Sequence, residues 1–351
     1  MATLYVTEPG SRIEKEYHHL LVVDADDKTR LRVPLASVSH VVLVGRGVGA
    51  TTPALHALLA ADITLSLVSR GGELLGRLTG PSGKNLELRR KQYARAADPV
   101  FCLAFARQVV AGKLANYRTY ALRWRRGRPE LPAEWLERLD RAAAEAPAAP
   151  DLASLRGVEG AGSKAYFALL RGHLAGGPAA AGAAADGSDE PAGLTFAFEK
   201  RTRRPPRDPT NALLSLGYTL LGEAISAALE VVGLDPYEGF FHADKYGRPA
   251  LALDLVEEFR APIVDSVALT VIHKRMIGVE DFETADGGGV YLSRQGLRVF
   301  LREFSDRLQT SFTHPLAGRP LSYQKCLEVQ ARQVAKVVMG EAPEYRPLRV
   351  R

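Results

Sequence analysis

Cysteine is scarce: Cys102 and Cys326 are the only two among 351 residues. They stand far apart, with no CxxC pair and no Cys/His zinc spacing. The pattern gives no disulfide framework and no zinc finger, and a reducing compartment is the default. Long apolar runs are missing too. No uninterrupted stretch of about 18 apolar residues occurs, so no membrane span is expected. The opening MATLYVTEPG lacks a basic start and an apolar stretch, so no signal peptide is expected and the location is read as cytoplasmic. A phosphate-binding P-loop is also absent. GRGVGATTP (45–53) has no lysine in place. GPSGKN (80–85) would need glycine where Leu78 stands, and it ends in Asn85 instead of Ser or Thr. Both read as turns, and ATP is not implied.

What is present is ordinarily globular, with 46% hydrophobic and 25% charged residues. The length predicts about two domains and ample material for a core. The net charge of +6 is unevenly placed. Residues 1–80 are neutral, with eight Lys/Arg and eight Asp/Glu. Residues 84–128 hold twelve basic residues against Glu87 and Asp98. A stripe of this kind is the electrostatic footprint of a polyanion, and nucleic acid is the expected partner.

The first 80 residues read as strands. LYVTE, HLLVVD, TRLRVPL, SHVVLVG, DITLSLV and ELLGRL are short runs rich in Val, Ile, Leu and Thr, with one helix from about Pro53 to Ala61. Later segments have apolar residues at helical spacing: 99–126, 132–145, 151–175, 209–232, 251–275, 292–310 and 318–339. The expected class is α+β: a small β domain over 1–80, then a larger all-helical domain over 81–351. The link falls near LTGPSGKN (78–85). The Ala/Gly-rich stretch 176–193 reads as a flexible surface loop.

Three places carry possible chemistry. In KRTRRPPRDPTNALL, Asp208 is placed to cap a helix that begins with Pro209, with arginines crowded just before it. Such a basic loop at a helix start can hold phosphate. In LRGVEGAGSKAYF, Glu159 lies between glycines near a helix start, where an acid commonly just complements the dipole. In HADKYGRPALALDLVEEFR (242–260), a helix from Ala250 would put Asp254, Glu257 and Glu258 within ~100° of each other, with Leu255, Val256 and Phe259 behind. His242 returns to that face through the Tyr246–Pro249 turn. Acids with a nearby histidine suit a hard divalent cation, and an amphipathic helix with a core histidine is the plainer alternative.

At this point the residues resemble a known family. GLDPYEGFFHADKYGRPALALDLVEEFRAPIVD (233–265) is similar to the signature of the first CRISPR-associated adaptation protein. LYVTEPGSRIEKE, VPLASVSHVVLVG, TTPALHALLAADITLSLVSRGGELLGRLTGP, VEGAGSKAYF and RPPRDPTNALLSLGYTLL resemble the same family, in order, over nearly the whole chain. The resemblance implies a metal-dependent DNA endonuclease and integrase that inserts spacers into a CRISPR array. It implies Mn²⁺ or Mg²⁺ held by Glu159, His242 and Glu257, with Asp254 as an accessory acid. Lys164, Arg201, Arg203, Arg204, Arg248 and Arg260 are then phosphate contacts, and the 84–128 stripe holds the DNA backbone. It further implies a homodimer through the β domain, two dimers bridged by a small second adaptation protein, and a separate nuclease that trims the fragment. A DNA-binding scaffold with an inactive acidic cluster is the alternative. A redox facial triad would want two histidines. The insertion at 176–193 departs from the family.

Overall fold

The computed structural model describes residues 2–81, 85–175, 194–203, 205–242 and 247–350. The stretch 176–193, Lys84, Arg204 and the 243–246 part of the expected turn lie outside them.

The N-terminal part carries two four-stranded sheets. One has the order β1 (Ala2–Val6), β5 (Val38–Val44), β7 (Thr64–Val68), β8 (Leu74–Leu78). Its first three strands are parallel and β8 is antiparallel. The other has the order β4 (Thr29–Pro34), β3 (His19–Val23), β2 (Arg12–Glu16), β6 (Gly49–Ala50). Helix α1 (Thr52–Ala60) connects β6 to β7. Strand β2 reads RIEKE; its charge hid it from sequence reading, and only Ile13 within it is fully buried.

Strand β5 explains how the two cores meet. Alternate residues of a strand point to opposite faces. Val41 and Leu43 pack with Ile13, Leu20, Ala54 and Leu58 in a small core of the β region. Val42 and Val44 face the other way and join the large helical core. A strand buried on both faces reads as a continuous apolar run, which is what HVVLV does. On the helical side a polar chain crosses the boundary. His40 Nε2 lies 2.9 Å from Ser66 Oγ, which donates to Glu223 Oε2 at 2.9 Å. Arg77 pairs with the same carboxylate oxygen at 3.0 Å and with Glu230 at 2.9 Å. Burial pushes His40 down to about 3. The ring is therefore neutral, and the Ser66 hydroxyl, spent as donor on Glu223, accepts from its N–H.

The C-terminal part is mostly helical. Its helices are α2 (Leu86–Ala96), α3 (Pro99–Gly127), α4 (Ala133–Glu145), α5 (Leu152–Ala175), α6 (Pro209–Val232), α7 (Ala250–Phe259), α8 (Ser266–His273), α9 (Arg294–Gln309) and α10 (Tyr323–Met339). Two expectations are corrected here. The region is not all helical: β9 (Phe282–Ala285) pairs with β10 (Gly289–Leu292), and β11 (Ser311–Thr313) with β12 (Pro320–Ser322). These hairpins are too short for a period of two to register. The expected helix 251–275 is also interrupted, by a π-helical turn over Arg260–Asp265 that contains Pro262. Proline has no N–H and cannot continue the regular ladder.

Helix α6 is long and apolar enough to cross a membrane by composition, but 67% of its most apolar window is buried in the fold. Its Glu223 is spent on Ser66 and Arg77. It is the central core helix. Both cysteines are free and buried.

Candidate metal centre

Three elements bring the acids and the histidine together. Helix α5 supplies Glu159, helix α7 supplies Asp254 and Glu257, and the segment before α7 supplies His242. Helix α3 runs between α5 and α7. Close approach depends on Gly162, where a Cβ would stand 2.4 Å from Leu114 Cδ2. Glycine costs about 1 kcal/mol inside a helix, so it is retained here for room.

Asp254 is fully buried and fully engaged. Its Oδ2 accepts from the N–H groups of Phe240 (2.8 Å) and Phe241 (3.1 Å). Its Oδ1 accepts from the His242 N–H (3.0 Å) and lies 2.8 Å from His242 Nδ1. A carboxylate so occupied is a positioning group. It fixes the imidazole with Nδ1 as donor and leaves Nε2 as the lone-pair nitrogen. Nε2 points toward Glu257, 3.8 Å from Oε1. Burial pushes the His242 ring down, but the bond to Asp254 and its charge outweigh burial and raise its pKa.

Glu257 is buried beside two cations. Arg260 donates to its Oε1 at 2.8 Å, and the Lys113 ammonium lies 2.6 Å from its Oε2. Burial pushes this acid up, but Arg260 and then Lys113 overcome it and bring Glu257 down to about 2. Glu159 is more open and takes bonds from Lys113 and from Ser163 Oγ (2.7 Å).

Lys113 was hidden in the basic stripe. It is 2% exposed and joins both glutamates. The sequence did carry a signal: its neighbours one turn either way, Val109 and Tyr117, are apolar and buried. With the ammonium between the two carboxylates, no group of three His, Cys, Asp or Glu converges tightly enough to hold an ion among the described residues. The donor set nevertheless fits a divalent cation. It offers two carboxylates and an imidazole nitrogen with its tautomer fixed. Glu257 Oε2 is buried and accepts no well-aligned hydrogen bond.

Glu258 departs from the expected face. It points away from Glu257 into a separate buried network. Tyr345 donates to it at 2.6 Å, Gln330 at 3.1 Å, and the Leu348 N–H also bonds it. Burial pushes Glu258 up to about 7 against these donors. Asn116 on α3 donates to Glu258 O (2.7 Å) and Leu348 O (2.9 Å), tying the C-terminal segment to both helices.

The family profile described as "CRISPR associated protein Cas1" matches residues 4–306. The chain belongs to the Cas1 family. It is 38% identical over 353 residues to "CRISPR-associated endonuclease Cas1 3" of Thermus thermophilus, covering 100% of this chain and 98% of that protein. It is 40% identical over 343 residues to a "CRISPR-associated exonuclease Cas4/endonuclease Cas1 fusion" of Rhodospirillum rubrum, covering 97% of this chain and 56% of the fusion. The chain thus spans little more than half of that relative. Among solved structures it is similar to a chain of a "Cas6-RT-Cas1--Cas2 complex", with TM-score 0.80, 27% identity, and coverage of 99% of this chain and 36% of that one.

In this Cas1 chain the expected phosphate contacts fall into two groups. Lys164, Arg203 and Arg248 are exposed. Arg201 and Arg260 are half-buried and packed within the fold. Arg201 is bonded to Asn211 Oδ1 (2.6 Å) and Ser215 Oγ (3.0 Å), and both guanidiniums lie against Tyr218. Burial pushes Arg201 down to about 10. Arg204 lies outside the described residues. The α6 N-terminus is filled by its own cap, since Asp208 accepts from the Asn211 N–H at 2.8 Å. The basic stripe is likewise divided. Arg107 bonds Ala149 O, Arg118 bonds Asp140, and Lys113 is buried. Lys113 and Arg107 are turned inward against neighbouring segments, while Arg118 pairs with Asp140 at the exposed surface. Sequence reading also missed Arg156, one turn before Glu159, which donates to Phe241 O at 3.0 Å beside His242.

Proposed function

We propose that this chain is a divalent-metal-dependent DNA endonuclease and integrase of CRISPR adaptation, which joins the 3′-hydroxyl ends of a short DNA fragment to phosphodiesters of a CRISPR repeat. The observation that carries the reading is the meeting of Glu159, His242 and Glu257 from three separate elements, with Asp254 dedicated to orienting the histidine. A cation bound there would polarise the phosphodiester and favour attack by a hydroxyl. A mixed nitrogen and oxygen set suits Mn²⁺ better than Mg²⁺.

The protein's own part is placement and charge. Arg260 and Lys113 keep Glu257 ionised. Asp254 holds the imidazole rigid. Exposed Lys164, Arg203 and Arg248 offer charge to the DNA backbone, and positioning two strands supplies much of the remaining rate. Partners follow from the relatives. The Cas2 named in the similar complex supports a small second adaptation protein as partner. Two homodimers, each joined through residues 1–80 and bridged by that partner, complete the proposed assembly by resemblance to the family. The Cas4 exonuclease fused in the Rhodospirillum relative supports a trimming nuclease. The site of action is the cytoplasm, where the array lies.

A scaffold reading has one observation in its favour, the Lys113 ammonium between the glutamates. One assay separates the two. It incubates this chain, its small partner, a short duplex with 3′-hydroxyl ends and Mn²⁺ with a supercoiled plasmid carrying a repeat. Joined product that disappears in Glu257→Ala and with EDTA supports the integrase. Product that persists in Glu257→Ala shows the site to be elsewhere. DNA binding without any product favours the scaffold.

A further inference from the structure

We propose that Lys113 is a built-in counter-cation of the metal centre, displaced from Glu159 and Glu257 when a divalent ion binds. The inference rests on the reading of Glu159, His242 and Glu257 as ligands.

A lysine is almost never this deeply buried unless paired. Here the ammonium contacts Glu159, Glu257 and the face of Tyr117, 5.3 Å from the ring centre. It thus has one hydrogen bond, to Glu159, one ion pair, to Glu257, and one ring contact. Without it the two glutamates, from helices distant in sequence, would face each other across a low-dielectric gap. Lys113 holds them as a pair, at the position where an ion joining both would stand.

Charge balance makes the arrangement competitive. Glu159, Asp254 and Glu257 carry three negative charges, against Lys113 and Arg260 with two positive ones. Arg260 is fixed between Glu257 and the Tyr218 ring, 4.2 Å from the ring centre. Lys113 is held by carboxylates and a ring as well, but its ammonium is a single point charge on a flexible four-carbon stem instead of a planar fork, so it can withdraw by rotating that stem. An arriving dication overfills the pocket with positive charge unless the ammonium retreats. The open side is toward Glu159, which is 23% exposed, and Ser163. That is also the side from which a DNA phosphate would approach. A freed ammonium there meets a phosphate charge, so ion and DNA each favour the binding of the other.

The test is calorimetric titration of Mn²⁺ into the full chain as wild type, Lys113→Met and Glu257→Ala. Lys113→Met keeps the length of the stem and removes the charge. We expect it to bind Mn²⁺ at least tenfold more tightly than wild type while melting at a lower temperature without metal. Short duplex DNA should tighten Mn²⁺ binding to wild type more than to Lys113→Met. A lysine with a purely structural role predicts equal or weaker Mn²⁺ binding in Lys113→Met, and that result overturns the inference alone if Glu257→Ala has lost the ion. If Glu257→Ala binds Mn²⁺ as wild type does, the ligand reading falls and the inference with it. Should Lys113→Met fail to fold, lysine methylation of the wild type followed by mass spectrometry decides. Lys113 should be protected without metal and reactive with saturating Mn²⁺; equal protection in both states overturns the inference.

Discussion

The carboxylate of Asp254 grips His242 twice, accepting the backbone N–H at 3.0 Å and lying 2.8 Å from Nδ1. Backbone and ring are fixed by one oxygen, so the direction of Nε2 is set before any ligand arrives. Asp254→Asn keeps the shape but loses the charge and disturbs the Nδ1–H tautomer. It should weaken Mn²⁺ binding about 10- to 100-fold, as loss of such a supporting carboxylate typically does. Calorimetry on the folded variant checks this. Asp254→Ala should be worse for the fold, because it strands buried N–H groups at ~1–3 kcal/mol each.

Glu258 makes stability depend on pH. Its folded pKa, about 7, lies above the ordinary 4.5, so the folded chain holds this proton more tightly than the unfolded one. The contribution is therefore full below about 4.5 and is lost as pH rises to about 7. Its size is on the order of 3 kcal/mol, from roughly 1.4 kcal/mol per unit. Melting curves between pH 5 and 8 should show a decline for wild type that is flatter in Glu258→Gln. Equal slopes would mean the network holds Glu258 ionised throughout.

Much of this was legible in the sequence. Most helices are long and strongly periodic, and the Asp208–Pro209 start of α6 was readable as a cap. The motif around His242 pointed to the site. What escaped has physical reasons. RIEKE carries charge on a strand, and α2 is too polar to show a stripe. The burial of Lys113 and Arg201 could not be seen, because charge in a sequence does not say which way a side chain turns. Three acids on α7 look equivalent in a helical projection. Only packing against Tyr345 and Gln330 separates Glu258 from its neighbour Glu257.

The internal and exposed cations should behave differently. Alanine at Lys164, Arg203 or Arg248 should leave the melting temperature unchanged. Each should lower the slope of log affinity against log salt by about 1. Arg201→Ala should instead destabilise the fold by about 1–3 kcal/mol through the lost bonds to Asn211 and Ser215 and lost packing on Tyr218, although Asn211 Oδ1 keeps the Thr202 N–H. A full salt-slope loss in Arg201→Ala with no change in melting would reverse its assignment.

Gly162→Ala tests the helix approach. Its Cβ would press on Leu114, so α5 should shift away from α3 and carry Glu159 with it. Overpacking of this kind costs about 1–3 kcal/mol. Mn²⁺ affinity should fall although no ligand is altered, and an unchanged affinity would show that the site tolerates the shift.

The most direct measurement is electron spin-echo spectroscopy of Mn²⁺ bound to the wild-type chain and to Glu159→Ala, His242→Ala and Glu257→Ala. One ion per chain is expected, with nitrogen coupling from a single imidazole. The coupling should vanish in His242→Ala, and binding should weaken in all three variants. An ion bound equally well in all four proteins, or without nitrogen coupling in the wild type, would contradict the assignment of Glu159, His242 and Glu257 as the metal centre.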